Sequence, residues 1–176
     1  PVSRANAAAL PFPDATFDRV HCSWLLEHVS RTTAVKILAE VRRVLRPGGY
    51  CHFTEVDNST FRATPSHPDL EAVMGELSQA QRRGGGDPCV GQQLPQLFAA
   101  AGFTRVQIEP RAIHGSVEDP AFFQGFIDEF AEIFEGLDEA LPQLREQAQR
   151  AAAQLRRLPA VGGTLDYSAA VARGFR

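Results

Sequence analysis

The stretch TFDRVHCSWLLEHVSRTTAVKILAEVRRVLRPGGYCHFTEVD, residues 16–57, restricts the possible folds more than any other part of the chain. Residues 17–23, FDRVHCS, alternate so that Val20 and Cys22 share one face, the pattern of a strand. Residues 32–45 then change period. Val35, Leu38, Val41 and Leu45 recur at spacings of three and four, with Lys36, Glu40 and Arg43 between them, which predicts an amphipathic helix. Thr32 or Thr33 is placed to cap its start, and Arg46 falls in its last turn, where a cation suits the helix dipole. Pro47 stops the helix, and Gly48 and Gly49 permit the reversal. A second strand follows at once in YCHFTEV, residues 50–56. Strand, helix, tight turn and strand in this order predict a right-handed crossover between two parallel strands.

The remainder extends the alternation. Asp57 to about Pro88 reads as less regular, with one helix near 69–83 closed by Gly84, Gly85 and Gly86. Residues 92–103 predict a short helix ended by Gly102, and FTRVQIEP predicts a strand. Residues 119–158 read as wholly helical. Phe122, Phe123, Phe126, Ile127, Phe130, Ile133, Phe134 and Leu137 form a broad apolar stripe, followed by a narrower one of Leu141, Leu144, Ala148, Ala151 and Leu155. Gly162 and Gly163 break the helix, and residues 167–176 predict a last strand. Alternation of this kind, interrupted by the two inserts, implies an open α/β sheet with helices on both faces.

Composition narrows the functional classes. A net charge of −3 gives no basic footprint for nucleic acid and no polybasic membrane signal. No apolar run approaches the length needed to span a bilayer, and the N-terminal residues lack a signal-peptide pattern. Cys22, Cys51 and Cys89 are odd in number and have no metal-ligand spacing, so no metal site is expected and a reducing, cytoplasmic setting is.

Four stretches, in this order along the chain, resemble the class I S-adenosylmethionine (SAM) methyltransferases of the methyltransferase type 11 group. NAAALPFPDATFDRV resembles the loop after that family's third strand and the start of its fourth, and CSWLLEHV the end of the fourth and the helix start beyond it. AEVRRVLRPGGYCHFTEVD resembles the helix, turn and fifth strand, and GGGDPCVGQQLPQLFAAAGFTRVQIEP the next helix and strand. Beyond these four, the terminal VARGFR resembles the antiparallel last strand. The resemblance implies a partial Rossmann-like methyltransferase sheet, mostly parallel with an antiparallel last strand. It implies one methyltransferase-like domain over residues 1–176, with an insert at 57–90 and a helical insert or lid at 119–158. It also implies that the family's first three strands and glycine-rich cofactor loop are missing, so that the chain is N-terminally incomplete and residues 17–23 become an edge strand open to self-association.

The implied function is SAM-dependent methyl transfer to a small organic molecule, apolar or aromatic if the phenylalanine-rich insert covers the acceptor. The alternative is a methyltransferase-like binding or scaffold module without activity. Asn6 stands where the family usually has an aspartate, so the resemblance assigns it the adenine amino group and assigns the Ala7 backbone N–H the adenine ring. Asn accepts through its carbonyl oxygen, so this departure is mild. Ser23 and Trp24, at the C-terminal end of a central strand, fall around the methionine part of the cofactor, with a core anchor as the other role for Trp24. Methyl transfer needs alignment and, for an O–H or N–H nucleophile, a base. His28 is the candidate base and Glu27 the residue that orients it or touches substrate; the competing role for His28 is packing or capping at a helix start. Glu55 either faces the substrate or caps a loop, and His21, Cys22 and Cys51 read as structural.

Overall fold

The computed structural model describes residues 4–137 and 141–176. They form an α/β fold with a four-stranded sheet in the order β1-β2-β4-β3, where β1 is Phe17–Ser23, β2 Leu45–Thr64, β3 Arg105–Gly115 and β4 Thr164–Phe175. β1 and β2 are parallel, with Val20 opposite Cys51 and His21 opposite His52. Arg176 N–H donates to Gly49 O and Gly48 N–H to Arg176 O, while the Cys51 thiol reaches Gly174 O, so β4 runs against β2. The expected parallel crossover and antiparallel last strand are both present, and β1 lies at the sheet edge.

Two compact units divide the chain. The first comprises Pro1–Asp57, Gln81–Arg111 and Ala169–Arg176. In it, α1 (Arg31–Val44) and α3 (Leu94–Ala100) pack on the sheet face that carries Cys51, Phe53 and Ala172. Phe53 and Phe98 meet edge to face, 5.6 Å between centroids. The start of α1 differs from expectation. Ser30 is the cap, its hydroxyl accepting from Thr33 N–H, because the helix begins one residue before Thr32. Its end differs too. The helix stops at Val44, so Arg46 lies in β2 and pairs with Asp18 at 3.0 Å instead of serving the last turn. Only Gly48 of the glycine pair needs a positive φ, +82°. Gly49 is required for space, since a Cβ there would stand 2.8 Å from Asp18 O.

The second unit comprises Asn58–Ala80 and Ala112–Ser168. The stretch after Asp57, expected to be irregular, is the continuation of β2 to Thr64, followed by α2 (Pro68–Arg83). Polar residues belong in this strand because its partner satisfies them: Tyr167 OH donates to Asn58 Oδ1 and Ser168 N–H to Thr60 Oγ1. α4 (Pro120–Glu135) packs against α5 (Arg145–Arg157). Phe123, Phe126, Ile127, Phe130 and Phe134 are buried as the stripe predicts, but Phe122 and Ile133 are exposed, so the buried stripe is narrower than expected. Phe61 and Tyr167 pack on Phe130 in the core of this unit. Of the span expected to be wholly helical, residues 138–140 lie outside the described residues, and 142–144 form a 3-10 turn. Among the described residues no helix is long and apolar enough to cross a membrane.

Candidate functional site

All the candidate residues belong to the first unit, and the loop before β1 is held by α1. The Arg43 guanidinium donates to Phe12 O (2.8 Å), Leu10 O (3.0 Å) and Asp14 (2.8 Å), and its neighbour Glu40 accepts from Leu10 N–H at 2.9 Å. The carboxyl of Glu40 is held below its ordinary range mainly by the hydrogen bond from Arg43. This clamp fixes the LPFPD segment against the helix. Just upstream, Asn6 closes a tight turn around Ala7: its Oδ1 accepts from Ala8 N–H at 2.9 Å and its backbone O from Ala9 N–H at 3.0 Å. An amide oxygen has two lone pairs, so this local bond leaves Asn6 Oδ1 one acceptor position.

At the other end of β1 the chain turns sharply. Trp24 has φ +57°, a left-handed conformation that costs a bulky L-residue about 1–2 kcal/mol. Its N–H donates to Thr54 O at 3.0 Å, which holds the turn against β2. Trp24 is 41% exposed, so it is not the core anchor that the sequence also allowed.

The turn leads into a 3-10 segment, Leu26–His28, seated on Glu55. Glu55 is fully buried and accepts from Leu25 N–H (3.3 Å) and Leu26 N–H (3.1 Å). Of the two roles the sequence left open, the geometry supports capping, though of the segment after β1 and not of a loop following Glu55. Burial pushes the Glu55 carboxyl up to about 7, against the opposing pull of the Leu26 and Leu25 amides.

Glu27 and His28 come together as the sequence suggested. His28 Nε2 lies 3.6 Å from Glu27 Oε1, with the His28 side chain 59% exposed and that of Glu27 buried. Burial raises the Glu27 carboxyl above its ordinary range, and His28 and a hydrogen bond from Gln81 Nε2 at 2.9 Å pull it back. Nothing in the sequence singles out Gln81. The glycines after it read only as a helix stop, yet Gly86 is needed because a Cβ there would lie 2.1 Å from Glu27 O. Asp87 N–H donates to that same oxygen at 3.0 Å, so the segment after α2 closes over Glu27.

The other feature that sequence reasoning misses is a row of polar side chains on the sheet face opposite the apolar core. Ser23 Oγ lies 3.0 Å from His21 Nε2, and His21 Nδ1 lies 3.2 Å from His52 Nδ1. His21 is therefore an exposed member of a cluster and not a packed strand residue. The cysteines behave as expected: burial pushes the Cys22 and Cys51 thiols up to about 12, so neither is a thiolate at neutral pH.

Comparison with known proteins adds the family signal. Residues 1–53 match the type 11 family model described as a methyltransferase domain. An uncharacterized 37.1 kDa transposon protein of Streptomyces fradiae is 33% identical over 109 residues, covering 62% of this chain and 30% of that protein. The ubiquinone/menaquinone biosynthesis C-methyltransferase UbiE of Marinomonas sp. is 52% identical over 46 residues, covering 26% of this chain and 18% of that enzyme. Among solved structures, phosphoethanolamine N-methyltransferase 2 of Haemonchus contortus, in complex with S-adenosyl-L-methionine, aligns at 19% identity with a TM-score of 0.49 over 97% of this chain and 36% of that one. The chain spans less than a third of the length of each of these two sequence relatives. Residues 1–53 are thus similar to methyltransferase-domain sequence, and the resemblance of this α/β chain to the class I SAM-dependent methyltransferases stands.

Proposed function

We propose that the protein carrying this segment transfers a methyl group from S-adenosylmethionine to a small organic acceptor. The observation that carries the reading is the turn at the C-terminal end of β1. There Trp24 is held in a left-handed conformation, exposed, within the span matched as a methyltransferase domain. Strained, exposed residues at the carboxyl end of a parallel strand are where open α/β sheets place their ligands.

In this reading Asn6 Oδ1 accepts from the adenine amino group through its remaining lone pair, and Ala7 N–H donates to the ring. Ser23 and Trp24 line the methionine part. Bound there, the cofactor would supply an electrophilic methyl carbon on a sulfonium, whose sulfur would leave with the electron pair. The acceptor's proton passes to His28 Nδ1, and Glu27, facing Nε2 of the same ring and anchored by Gln81, stabilises the imidazolium that results. An apolar or aromatic acceptor is favoured by the quinone C-methyltransferase relatives. The phenylalanine stripe adds little, since its buried members form the core of their own unit. We place the protein in the cytoplasm, with a small-molecule acceptor as its main partner.

Trp24 is the chain's one tryptophan and provides the test. S-adenosylhomocysteine titrated into the full-length protein is expected to change the fluorescence of wild type in a saturable way, with that component absent in Trp24→Phe. His28→Gln should then lower kcat by about 10²-fold or more while leaving that titration unchanged. No heat and no fluorescence change on titration would overturn the assignment.

A further inference from the structure

We propose that His21 and His52 form a two-histidine chelate for a divalent transition-metal ion, a clip that ties the edge strand β1 to β2. The sheet register places the two residues directly opposite one another on parallel strands. Their Nδ1 atoms are 3.2 Å apart and the rings are stacked, 21° between planes. Metal–imidazole bonds of about 2.0–2.1 Å spanning that separation subtend roughly 100° at the ion, between octahedral and tetrahedral values. Imidazole binds a metal in the plane of its ring, so these near-parallel rings must turn about χ2 to aim both Nδ1 lone pairs at one ion; with that turn the spacing that now accommodates a shared proton becomes the bite of a chelate.

The surroundings of His21 fit this use. A ligating imidazole commonly donates its other ring N–H to an outer partner that fixes the tautomer. When Nδ1 binds a metal, the neutral ring carries its proton on Nε2, and Ser23 Oγ is 3.0 Å from that atom, ready to accept it. The proton moves from one ring nitrogen to the other, so the ligands need not lose charge. Side chains alternate along a strand, which sends Cys22 and Cys51 to the opposite, core face and keeps thiolates out of the ligand set.

The identity of the ion follows from the donors. Imidazole nitrogens select copper, nickel and zinc over magnesium and calcium, which take oxygen ligands. Among the described residues no third His, Cys, Asp or Glu completes a cluster with this pair, so water or small ligands fill the other positions. Arg173 and Arg111 oppose a dication near His52, and Glu109 favours it. The site is accordingly exchangeable rather than a permanent structural centre.

The test uses the chain of residues 1–176 after removal of metal with a chelator. Calorimetric titration with Cu²⁺, Ni²⁺ or Zn²⁺ is expected to give one ion per chain and to raise the thermal midpoint, with no response to Mg²⁺ or Ca²⁺. His21→Gln and His52→Gln should each weaken binding about tenfold or more, while His67→Gln, His114→Gln and Cys89→Ser bind as wild type. Circular dichroism on each variant separates lost binding from lost folding. Undiminished affinity in both His21→Gln and His52→Gln, or an equal loss in His67→Gln or Cys89→Ser, would overturn the proposal.

Discussion

Replacing Glu55 with glutamine tests whether a buried carboxyl underlies the turn that carries Glu27 and His28. Glu55 has no exposed surface, and burial pushes its carboxyl up from its ordinary value of 4.5 to about 7. The shift has burial as its largest cause, so the sign is that of an acid whose folded pKa is raised. Between pH 4.5 and 7 the folded chain holds this proton while the unfolded chain releases it. Stability from this group is therefore highest below pH 4.5, falls as pH rises through 7, and is level above. A shift of this size corresponds to about 3 kcal/mol across the window. The side chain introduced by Glu55→Gln cannot ionise, yet its amide oxygen can still accept from Leu26 N–H. The variant should thus gain about 3 kcal/mol on wild type between pH 4.5 and 8, which is roughly 6–12 °C in thermal midpoint for a chain of this length. Other groups titrate nearby. Burial depresses the His52 pKa, an effect that lowers stability on acidification, and the raised Glu27 pKa acts in the same direction as Glu55. Both residues remain in each protein, so the difference between the two pH profiles isolates Glu55 to first order. Urea denaturation followed by circular dichroism at half-unit pH steps supplies those profiles. A difference that stays constant with pH would refute the burial of the carboxyl on the Leu25 and Leu26 amides.

Gly49→Ala should cost about 1–3 kcal/mol by denaturant titration, because the added Cβ meets backbone oxygens of Asp18 and Arg46 at 2.8 and 3.0 Å. Ser30→Ala removes the α1 cap and should cost about 1 kcal/mol in the same assay. In SAM titrations of the full-length protein, Asn6→Leu should lose roughly 1–3 kcal/mol of affinity, and Asn6→Asp, a charged acceptor, should bind as well as wild type or better; equal binding by wild type and Asn6→Leu removes Asn6 from the site. With β1 at the sheet edge, residues 1–176 should associate with increasing concentration in light scattering, and a monomer that does not change with concentration would show that this edge is protected.

The elements legible in the sequence are those encoded by neighbours along the chain. β1 occupies residues 17–23 as its alternation predicts, and α1 occupies the stretch marked by its apolar spacing. The turn after α1 is readable because Pro-Gly-Gly has few conformational choices, and the α4 phenylalanines because five of them recur at the helical period. The pairing of Glu27 with His28 is legible for the same reason, the two being adjacent. The methyltransferase resemblance rests on such local stretches, and its family match covers residues 1–53, where they are densest.

The rest is decided by partners far away in sequence. Residues 58–64 look like a loop because they are polar, and they form a strand because Tyr167 and Ser168 satisfy Asn58 and Thr60 across more than a hundred residues. Glu55 reads as a strand-end acid that faces substrate or caps a loop, yet two amides some thirty residues earlier turn it into a buried acceptor. Nothing near His21 announces His52, because the meeting depends on the register of β1 against β2, and a shift of one residue would send one of the rings to the other face. Periodicity and turn chemistry follow from short-range sterics, which the order of residues alone determines. The fate of a polar atom depends on which distant donor or acceptor burial brings within about 3 Å, and only the tertiary structure determines that.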